Sequence, residues 1–210
     1  MKRGIYARYI KRVMDFTISL LSLIVLSPIL ILIGVLIKVK LGSPIFFRQS
    51  RPGRDGKIFE VLKFRTMTEK RGSDGELLPD IERNTPFGEK IRSTSLDELP
   101  QLLNILKGDM AIVGPRPLLP EYLPYYTESE ARRHDVRPGL TGLAQVSGRN
   151  FLGWDEKLSK DVEYVSDISF MGDIAIIVKT ALKVVKREDV GVAGEAERKL
   201  NEVRCDDRQL

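Results

Sequence analysis

The sequence has very few of the residues that form disulfides, zinc sites and hydrolase triads. Its 210 residues include one cysteine, Cys205, and one histidine, His134. A single cysteine excludes a disulfide within the chain, and the lack of a cysteine–histidine cluster argues against zinc. The lone histidine has no partner pattern around it, which argues against a Ser-His-Asp or Cys-His triad. We expect His134 to be solvated or to form a local hydrogen bond.

Acidic residues are scarce in the first part of the chain. Residues 1–65 contain 13 lysines and arginines but three acids, whereas the remainder contains 21 basic and 26 acidic residues. The basic region surrounds an apolar segment, and this combination favours an anionic membrane surface as the partner. Aromatic residues placed to stack nucleic-acid bases are not apparent, so we expect no nucleic acid partner.

The apolar segment, residues 16–37, has 22 residues without a charge, which is long enough for a membrane-spanning helix. Two features favour a helix that enters the membrane and returns. Basic residues flank both ends, and the positive-inside rule places both flanks in the cytoplasm. Ser27-Pro28 lies in the middle, where proline removes a helical hydrogen bond and Ser27 can bond the freed carbonyl. The residues alone leave spanning and re-entrance equally open.

The remainder of the sequence predicts short strands and several helices. Residues 45–47 and 58–62 flank a Pro-Gly-Arg-Asp-Gly turn, which is typical of a hairpin. Lys107-Gly108 is a typical helix end, and residues 111–113 form a short extended piece. The amphipathic helix expected at 173–187 either lies in the membrane interface or packs on the core. We also expect helices at 128–134 and 155–164, loops at 71–82 and 137–150, and a flexible polar tail at 188–210.

Two adjacent carboxylates, Asp97 and Glu98, stand in the stretch SLDELPQLLN, residues 95–104. In one placement Ser95 caps the following helix and Glu98 completes a capping box. In the other, Pro100 occupies the first helical position. Both placements put the carboxylates at the positive end of a helix dipole, a position that also suits phosphate. Helix capping alone would explain the pair.

Nearby cations favour a chemical role for the two carboxylates. Arg92 precedes Asp97 by five residues, and Arg116 stands between Pro115 and Pro117, which restrict its backbone. A salt bridge to a nearby acid would equally explain Arg116. Taken together, these residues describe a site for a phosphate ester, where an aspartate could bind a divalent metal, attack phosphorus, or do both.

The stretches SLDELPQLLNILKGDMAIVGPRPLLPEYLPYY and RHDVRPGLTGLAQVSGRN resemble the bacterial sugar transferases, the monotopic phosphoglycosyl transferases. The resemblance covers residues 5–187 and is greatest to the small members with one N-terminal hydrophobic segment. It implies a mainly helical α+β fold with a re-entrant membrane helix kinked at Ser27-Pro28 in residues 1–40. A cytoplasmic catalytic domain with a hairpin and interfacial helices would occupy 41–187, and the polar tail 188–210.

The resemblance also implies an activity at the bacterial inner membrane. Such an enzyme transfers a sugar 1-phosphate from a UDP-sugar, plausibly N-acetylated, to undecaprenyl phosphate with Mg²⁺ and releases UMP. Asp97 would be the nucleophile, forming a covalent phosphosugar-aspartyl intermediate and contacting Mg²⁺, and Glu98 would assist it. Arg92 and Arg116, the latter with Pro115 and Pro117, would hold phosphates. The remaining candidates for substrate contacts are Lys63, Arg65, Arg137, Gln145 and Arg149.

Two other functions remain open from the residues. A metal-dependent phosphodiesterase could hydrolyse nucleotide sugars with the same carboxylates and cations. A non-catalytic membrane adaptor would use Asp97 and Glu98 as a helix cap only. Glucose and galactose also remain possible as the sugar.

Overall fold

The computed structural model describes residues 4–148, 153–186 and 198–207. Within them the protein is mainly helical with two small sheets, which confirms the predicted α+β class. The helices after α1 (Lys11–Leu41) are α2 (Asp80–Arg83), α3 (Pro86–Ser93), α4 (Gln101–Lys107), α5 (Glu128–Ala131), α6 (Leu143–Ser147), α7 (Trp154–Ser166), α8 (Phe170–Lys186) and α9 (Leu200–Asp207). Short 3₁₀ turns lie at Arg54–Gly56, Leu96–Glu98, Pro120–Tyr125 and Arg132–Asp135.

The apolar segment lies in one continuous helix. A π-helical turn, Tyr6–Ile10, leads into α1, which continues through Pro28. Pro28 has no N–H to donate to the carbonyl of Ile24, and Ser27 Oγ donates to that carbonyl instead at 2.8 Å. This hydrogen bond confirms the role predicted for Ser27. By length and composition, the helix Tyr6–Leu41 is able to cross a membrane.

The first sheet is the hairpin that the turn residues predict. Strands β1 (Phe46–Pro52) and β2 (Ile58–Phe64) are antiparallel, with Phe47 directly opposite Lys63 and Phe46 opposite Phe64. Asp55 in the turn has a φ of 57°, a left-handed conformation that aspartate tolerates better than most residues. The hairpin therefore forms from local sequence signals.

The second sheet was not predicted. Strands β3 (Ala111–Val113) and β4 (Gly139–Thr141) pair in parallel. The prediction of a loop over 137–150 is therefore wrong for β4 and α6. Both elements are too short to show a period in the sequence, and β4 depends on a close crossing. A Cβ on Gly139 would lie 2.1 Å from the backbone nitrogen of Gly114, so only glycine fits there.

Part of the predicted flexible tail is ordered. Residues 198–207 include α9, whose Leu200 is fully buried against Tyr122 and Leu158. Arg204 donates to Glu130 Oε1 at 2.7 Å and to Asp155 Oδ1 at 2.6 Å. The expectation of a loose tail fails here because one apolar side chain and one arginine find partners distant in sequence.

The N-terminal end of α1 is attached to the domain by polar contacts. Lys11 Nζ lies 2.7 Å from Oδ2 of the buried Asp173 in α8. Arg12 donates to two backbone carbonyls in the last turn of α4, at 2.6 and 2.9 Å. Asp15 Oδ1 accepts from the backbone N–H of Ile112 in β3 at 3.2 Å. Three elements of the domain thus hold this end of the helix.

The C-terminal end of α1 is attached to the same domain. Arg65, which follows β2, is buried and donates to the backbone carbonyls of Leu41 and Ser43. One turn earlier, Ile37 has no exposed surface and belongs to a cluster with Phe64 of β2. Both ends of α1 therefore lie against one domain.

Candidate active site

The backbone around Asp97 differs from a capping box. Ser95 has a φ of 55° and its side chain caps nothing, so the predicted Ser95 cap is wrong. Leu96–Glu98 forms a 3₁₀ turn, and α4 begins at Gln101, directly after Pro100. The alternative that places Pro100 at the helix start is within one residue of the structure. Both carboxylates therefore lie in a separate turn that precedes α4.

Asn104 anchors this stretch to the hairpin. Its Oδ1 accepts from the backbone N–H of Leu62 at 3.0 Å, and its Nδ2 donates to the carbonyl of Glu60 at 2.7 Å. The side chain therefore continues the hydrogen-bonding edge of β2 into α4. This contact holds the turn with Asp97 and Glu98 beside the strand that contains Lys63.

Glu98 is held between two cations. Its Oε1 accepts from Lys63 Nζ at 2.8 Å and from Arg116 Nη2 at 2.9 Å. Burial alone would raise the pKa of Glu98. Arg116 and Lys63 together lower the pKa by more than burial raises it, so the carboxylate stays ionised well below neutral pH. The salt bridge expected as the structural explanation of Arg116 is thus present, and it lies within the carboxylate pair.

Asp97 is the less stabilised carboxylate. It is 7% exposed, and burial, followed by the charge of Glu98, raises its pKa to about 6. The charges of Lys63 and Arg92 act in the opposite direction. The two neighbouring carboxylates therefore have separated pKa values, a pattern found where one group reacts and the other orients.

An open cleft of about 1210 Å³ adjoins the two carboxylates, a volume somewhat above the roughly 300–1,000 Å³ of most small-molecule sites. Its lining includes Lys63, Thr66, Arg92, Arg116, Leu118, Gln145, Trp154 and Lys157. Arg92 is exposed, and its Nη2 donates to Thr66 Oγ1 at 3.1 Å and to Asn84 Oδ1 at 3.2 Å. The cleft thus combines two carboxylates with several cations.

The loop that contains Arg116 is fixed by a buried ion pair that sequence analysis missed. Arg133 is 2% exposed and its Nη2 donates to the backbone carbonyl of Arg116 at 2.6 Å and to Asp161 Oδ2 at 2.7 Å. Arg133 belongs to the stretch RHDVRPG, but nothing in the sequence pairs it with an acid 28 residues away.

Pro115 and Pro117 flank Arg116 and line a small void with His134. His134 Nδ1 lies 3.3 Å from the carbonyl oxygen of Gly53, a partner 81 residues away, so the expectation of a solvated or locally bonded histidine is wrong. Burial, with the charge of Arg133, lowers the pKa of His134 to about 4, so the imidazole is neutral at pH 7. His134 therefore helps to pack the loop and adds no charge to it.

Of the other residues predicted from the sequence to contact substrate, some line the cleft and others lie elsewhere. Gln145 lines the cleft, and its Nε2 donates to the carbonyl of Leu140 at 3.2 Å. Arg65 borders the cleft but its guanidinium holds the end of α1. Arg137 lies outside the cleft lining, where its Nε donates to the carbonyl of Gly108 at 2.8 Å. Arg149 lies outside the described residues.

Comparison with known proteins identifies the family. A family model described as bacterial sugar transferase matches residues 6–187. The chain belongs to the bacterial sugar transferase family. The sequence resemblance is therefore confirmed at the level of the family, and the matched range contains the residues that line the cleft.

Curated relatives show how members of the sugar transferase family differ in length. An uncharacterized sugar transferase, EpsL of Bacillus subtilis, is 51% identical over 86% of this chain and 90% of its own. The undecaprenyl-phosphate galactose phosphotransferase of Salmonella typhimurium is 38% identical over 87% of this chain and 42% of its own. A UDP-glucose:undecaprenyl-phosphate glucose-1-phosphate transferase of Klebsiella pneumoniae is 42% identical over 82% of this chain and 39% of its own. The chain thus spans less than half the length of the last two.

The donor set of this family member suits a magnesium ion that is shared with a substrate. Among residues 4–148, 153–186 and 198–207, no three histidine, cysteine, aspartate or glutamate side chains form a cluster able to hold a metal. Mg²⁺ commonly uses one or two carboxylates and completes its shell with water and substrate phosphates. Asp97 fits such a site, whereas Glu98 already accepts from two cations.

Proposed function

We propose that the protein transfers a sugar 1-phosphate from a UDP-sugar to undecaprenyl phosphate and releases UMP. The observation that supports this most directly is the difference in pKa between Asp97 and Glu98: Asp97 is buried, has a raised pKa and borders a cationic cleft. A carboxylate poised near neutral pH with little solvation is a suitable nucleophile for phosphorus. The names of the Salmonella and Klebsiella relatives describe the same kind of transfer.

The reaction would proceed in two displacements at one phosphorus atom. In the first, a carboxylate oxygen of Asp97 bonds to the sugar-bearing phosphorus, and the bond from that phosphorus to the oxygen of UMP breaks. UMP leaves with the electron pair, and a phosphosugar-aspartyl ester remains. In the second, a phosphate oxygen of undecaprenyl phosphate attacks the same phosphorus and the bond to Asp97 breaks. The carboxylate is regenerated, and the product is a lipid-linked sugar diphosphate.

The cations of the cleft would hold the phosphates during both steps. Arg92 is exposed in the cleft and Arg116 is held by Glu98, so phosphate oxygens in the cleft would face the positive charge of both guanidinium groups. Glu98 would keep Lys63 and Arg116 in place. A Mg²⁺ ion bound through Asp97 and the substrate phosphates would neutralise charge on the leaving UMP.

The sugar is a separate part of the proposal. The resemblance suggested an N-acetylated sugar, whereas the names of two relatives contain galactose and glucose. We therefore place UDP-galactose and UDP-glucose first in a screen, followed by UDP-GlcNAc, UDP-GalNAc and UDP-N,N′-diacetylbacillosamine. The first membrane step of glycoconjugate synthesis is the process that such a reaction would serve.

The attachment of α1 at both ends supports a re-entrant topology, and the basic residues that flank the apolar segment favour the cytoplasmic side for the catalytic domain. A spanning helix would separate its ends by about 30 Å of hydrocarbon. Here Lys11 and Leu41 both contact the same domain, which cannot lie on two sides of a membrane. A tag at the N-terminus should be labelled only from the cytoplasmic side, and labelling only from the outer side would overturn this topology.

The covalent mechanism is tested by UMP release without an acceptor. The purified protein in detergent, given the UDP-sugar that the screen selects, should release about one UMP per active site and retain the labelled sugar phosphate. Asp97→Asn should abolish release while still fractionating with membranes. Strict dependence on undecaprenyl phosphate would favour direct transfer, free sugar phosphate would favour the phosphodiesterase, and no turnover with any substrate would favour the adaptor.

A further inference from the structure

Phe47 is an exposed aromatic residue at the edge of the active-site cleft. It is 46% exposed in β1 and contributes to the cleft lining. The β-pairing places it directly opposite Lys63, whose Nζ bonds to Glu98. Directly opposite residues of an antiparallel pair have Cβ atoms about 5 Å apart. An apolar ring therefore stands beside the cations that the proposed function assigns to phosphate.

The cleft also reaches residues that pack on α1. Phe64 contributes to the cleft lining and is buried in a cluster with Ile33 and Ile37 of α1. Phe46 stacks on Phe64, with centroids 5.4 Å apart, on the face of the hairpin opposite to Phe47, because neighbouring residues of a strand point to opposite faces. The cleft thus borders both the exposed Phe47 and the apolar cluster that includes α1.

We propose that Phe47 contacts the first isoprene units of the polyprenyl phosphate acceptor. The inference rests on the proposed function, because it uses the lipid as the second substrate. Such a lipid needs cations for its phosphate and an apolar path from the phosphate to the bilayer. Lys63 and Phe47 supply these two requirements on neighbouring strands, and Phe64, which also borders the cleft, packs with Ile37 of α1. Phe47 is therefore a specificity residue for the acceptor.

The two half-reactions separate this role from a contact with the nucleotide sugar. UMP release without acceptor involves no lipid, whereas the KM for undecaprenyl phosphate reports on the second step. Phe47→Ser should raise that KM about tenfold through loss of apolar contact and leave UMP release without acceptor unchanged. Phe47→Leu keeps an apolar side chain and should stay within about twofold of the unchanged protein.

Ile58 provides a matched control on the same hairpin. It is 54% exposed but pairs with Pro52 at the far end of the strands from Lys63. Ile58→Ser should leave the KM for undecaprenyl phosphate unchanged. An equal rise in KM for Ile58→Ser and Phe47→Ser would indicate general membrane attachment and overturn the proposal.

Two further outcomes would also overturn it: an unchanged KM in Phe47→Ser, or a matching loss of UMP release in that variant, which would place Phe47 against the nucleotide sugar. A failure of the covalent mechanism would be distinguishable from a failure of the proposal for Phe47. If the unchanged protein released no UMP without acceptor, Phe47→Ser should still raise the KM for the lipid in the complete transfer reaction.

Discussion

Arg133 and Arg116 are joined by a 2.6 Å hydrogen bond from a buried guanidinium to a backbone carbonyl in the Gly-Pro-Arg-Pro loop. The same guanidinium pairs with Asp161 through Nε and Nη2 and reaches the hydroxyl of Tyr126 through Nη1. Arg133 therefore fixes the loop that places Arg116 beside Glu98. Arg133 is a positioning residue for the cation that stabilises Glu98.

The first prediction concerns Arg133→Lys. Lysine retains the charge opposite Asp161 but lacks the planar fork that reaches three partners at once. We expect a decrease of roughly tenfold in kcat for UMP release, in line with a misplaced charged group, and a lower Tm. Lys157→Arg, on the same helix as Asp161, is the control for Tm. A lower Tm with kcat unchanged would limit Arg133 to a structural role.

The second prediction is the pH dependence of the first half-reaction. The nucleophile must be ionised, and burial and Glu98 raise the pKa of Asp97 to about 6. Single-turnover UMP release should therefore increase between pH 5 and 7, with a midpoint near 6. Glu98→Gln removes the negative neighbour and should move this midpoint to lower pH. Glu128→Gln, an exposed change on α5, should leave the midpoint in place.

The third prediction is that Asp97→Asn stabilises the fold at pH 7. The folded-state pKa of about 6 lies above the ordinary value of 3.8, so the stability associated with this group is complete below pH 3.8 and decreases as pH rises through 6. At pH 7 the ionised form costs roughly 3 kcal/mol at most, and an uncharged amide removes that cost. Thermal unfolding at pH 7 should show a higher Tm for the variant.

If Asp97 acted only as a helix cap, Asp97→Asn would lower the stability of the fold instead of raising it. Replacing a capping aspartate destabilises a protein by about 1 kcal/mol. A lower Tm for Asp97→Asn at pH 7 would therefore contradict the origin of the raised pKa and support the capping explanation. The difference between unchanged and variant protein should also disappear below pH 4, where Asp97 is protonated.

The fourth prediction is a compensation between Ser27 and Pro28. Ser27→Ala removes the donor to the carbonyl of Ile24 and should cost about 1 kcal/mol. In the double variant with Pro28→Ala, the new N–H at position 28 can donate to the same carbonyl, so the loss should be recovered. The Tm of each variant in detergent measures the loss and its recovery. Ser22→Ala, five residues earlier in α1, is the control, and additive losses in the double variant would contradict the compensation.

Much of the site was predictable because its signals are local. The turn residues between the strands define the hairpin, and Pro28 identifies both the freed carbonyl and its nearby donor. Asp97 and Glu98 stand out as an acidic pair followed by proline. The role of Lys63 beside Glu98 depends on the register of β2 against the turn at 96–98, which sequence spacing does not encode.

The rest depended on contacts between distant segments. Arg133 and Asp161 are both buried, and each alone would be read as a surface charge. Strand β4 exists because Gly139 allows its backbone to approach Gly114, and three residues are too few to show a period. The Ser95 cap was wrong because Ser95 has a left-handed backbone and its side chain makes no capping hydrogen bond, although the local sequence pattern is a common one for a cap.

The attachment of α1 makes the membrane helix part of the folding unit. Ile37 is fully buried in the domain, and removing residues 1–41 would leave the buried Asp173 without Lys11 and the buried Arg65 without the carbonyl of Leu41. Simple deletion of the anchor would therefore destabilise the catalytic domain. A water-soluble form would have to keep α1 and exchange only its outward residues, such as Val25, Ile31 and Val39. Solubility and catalysis would then be separated by redesigning one face of a helix.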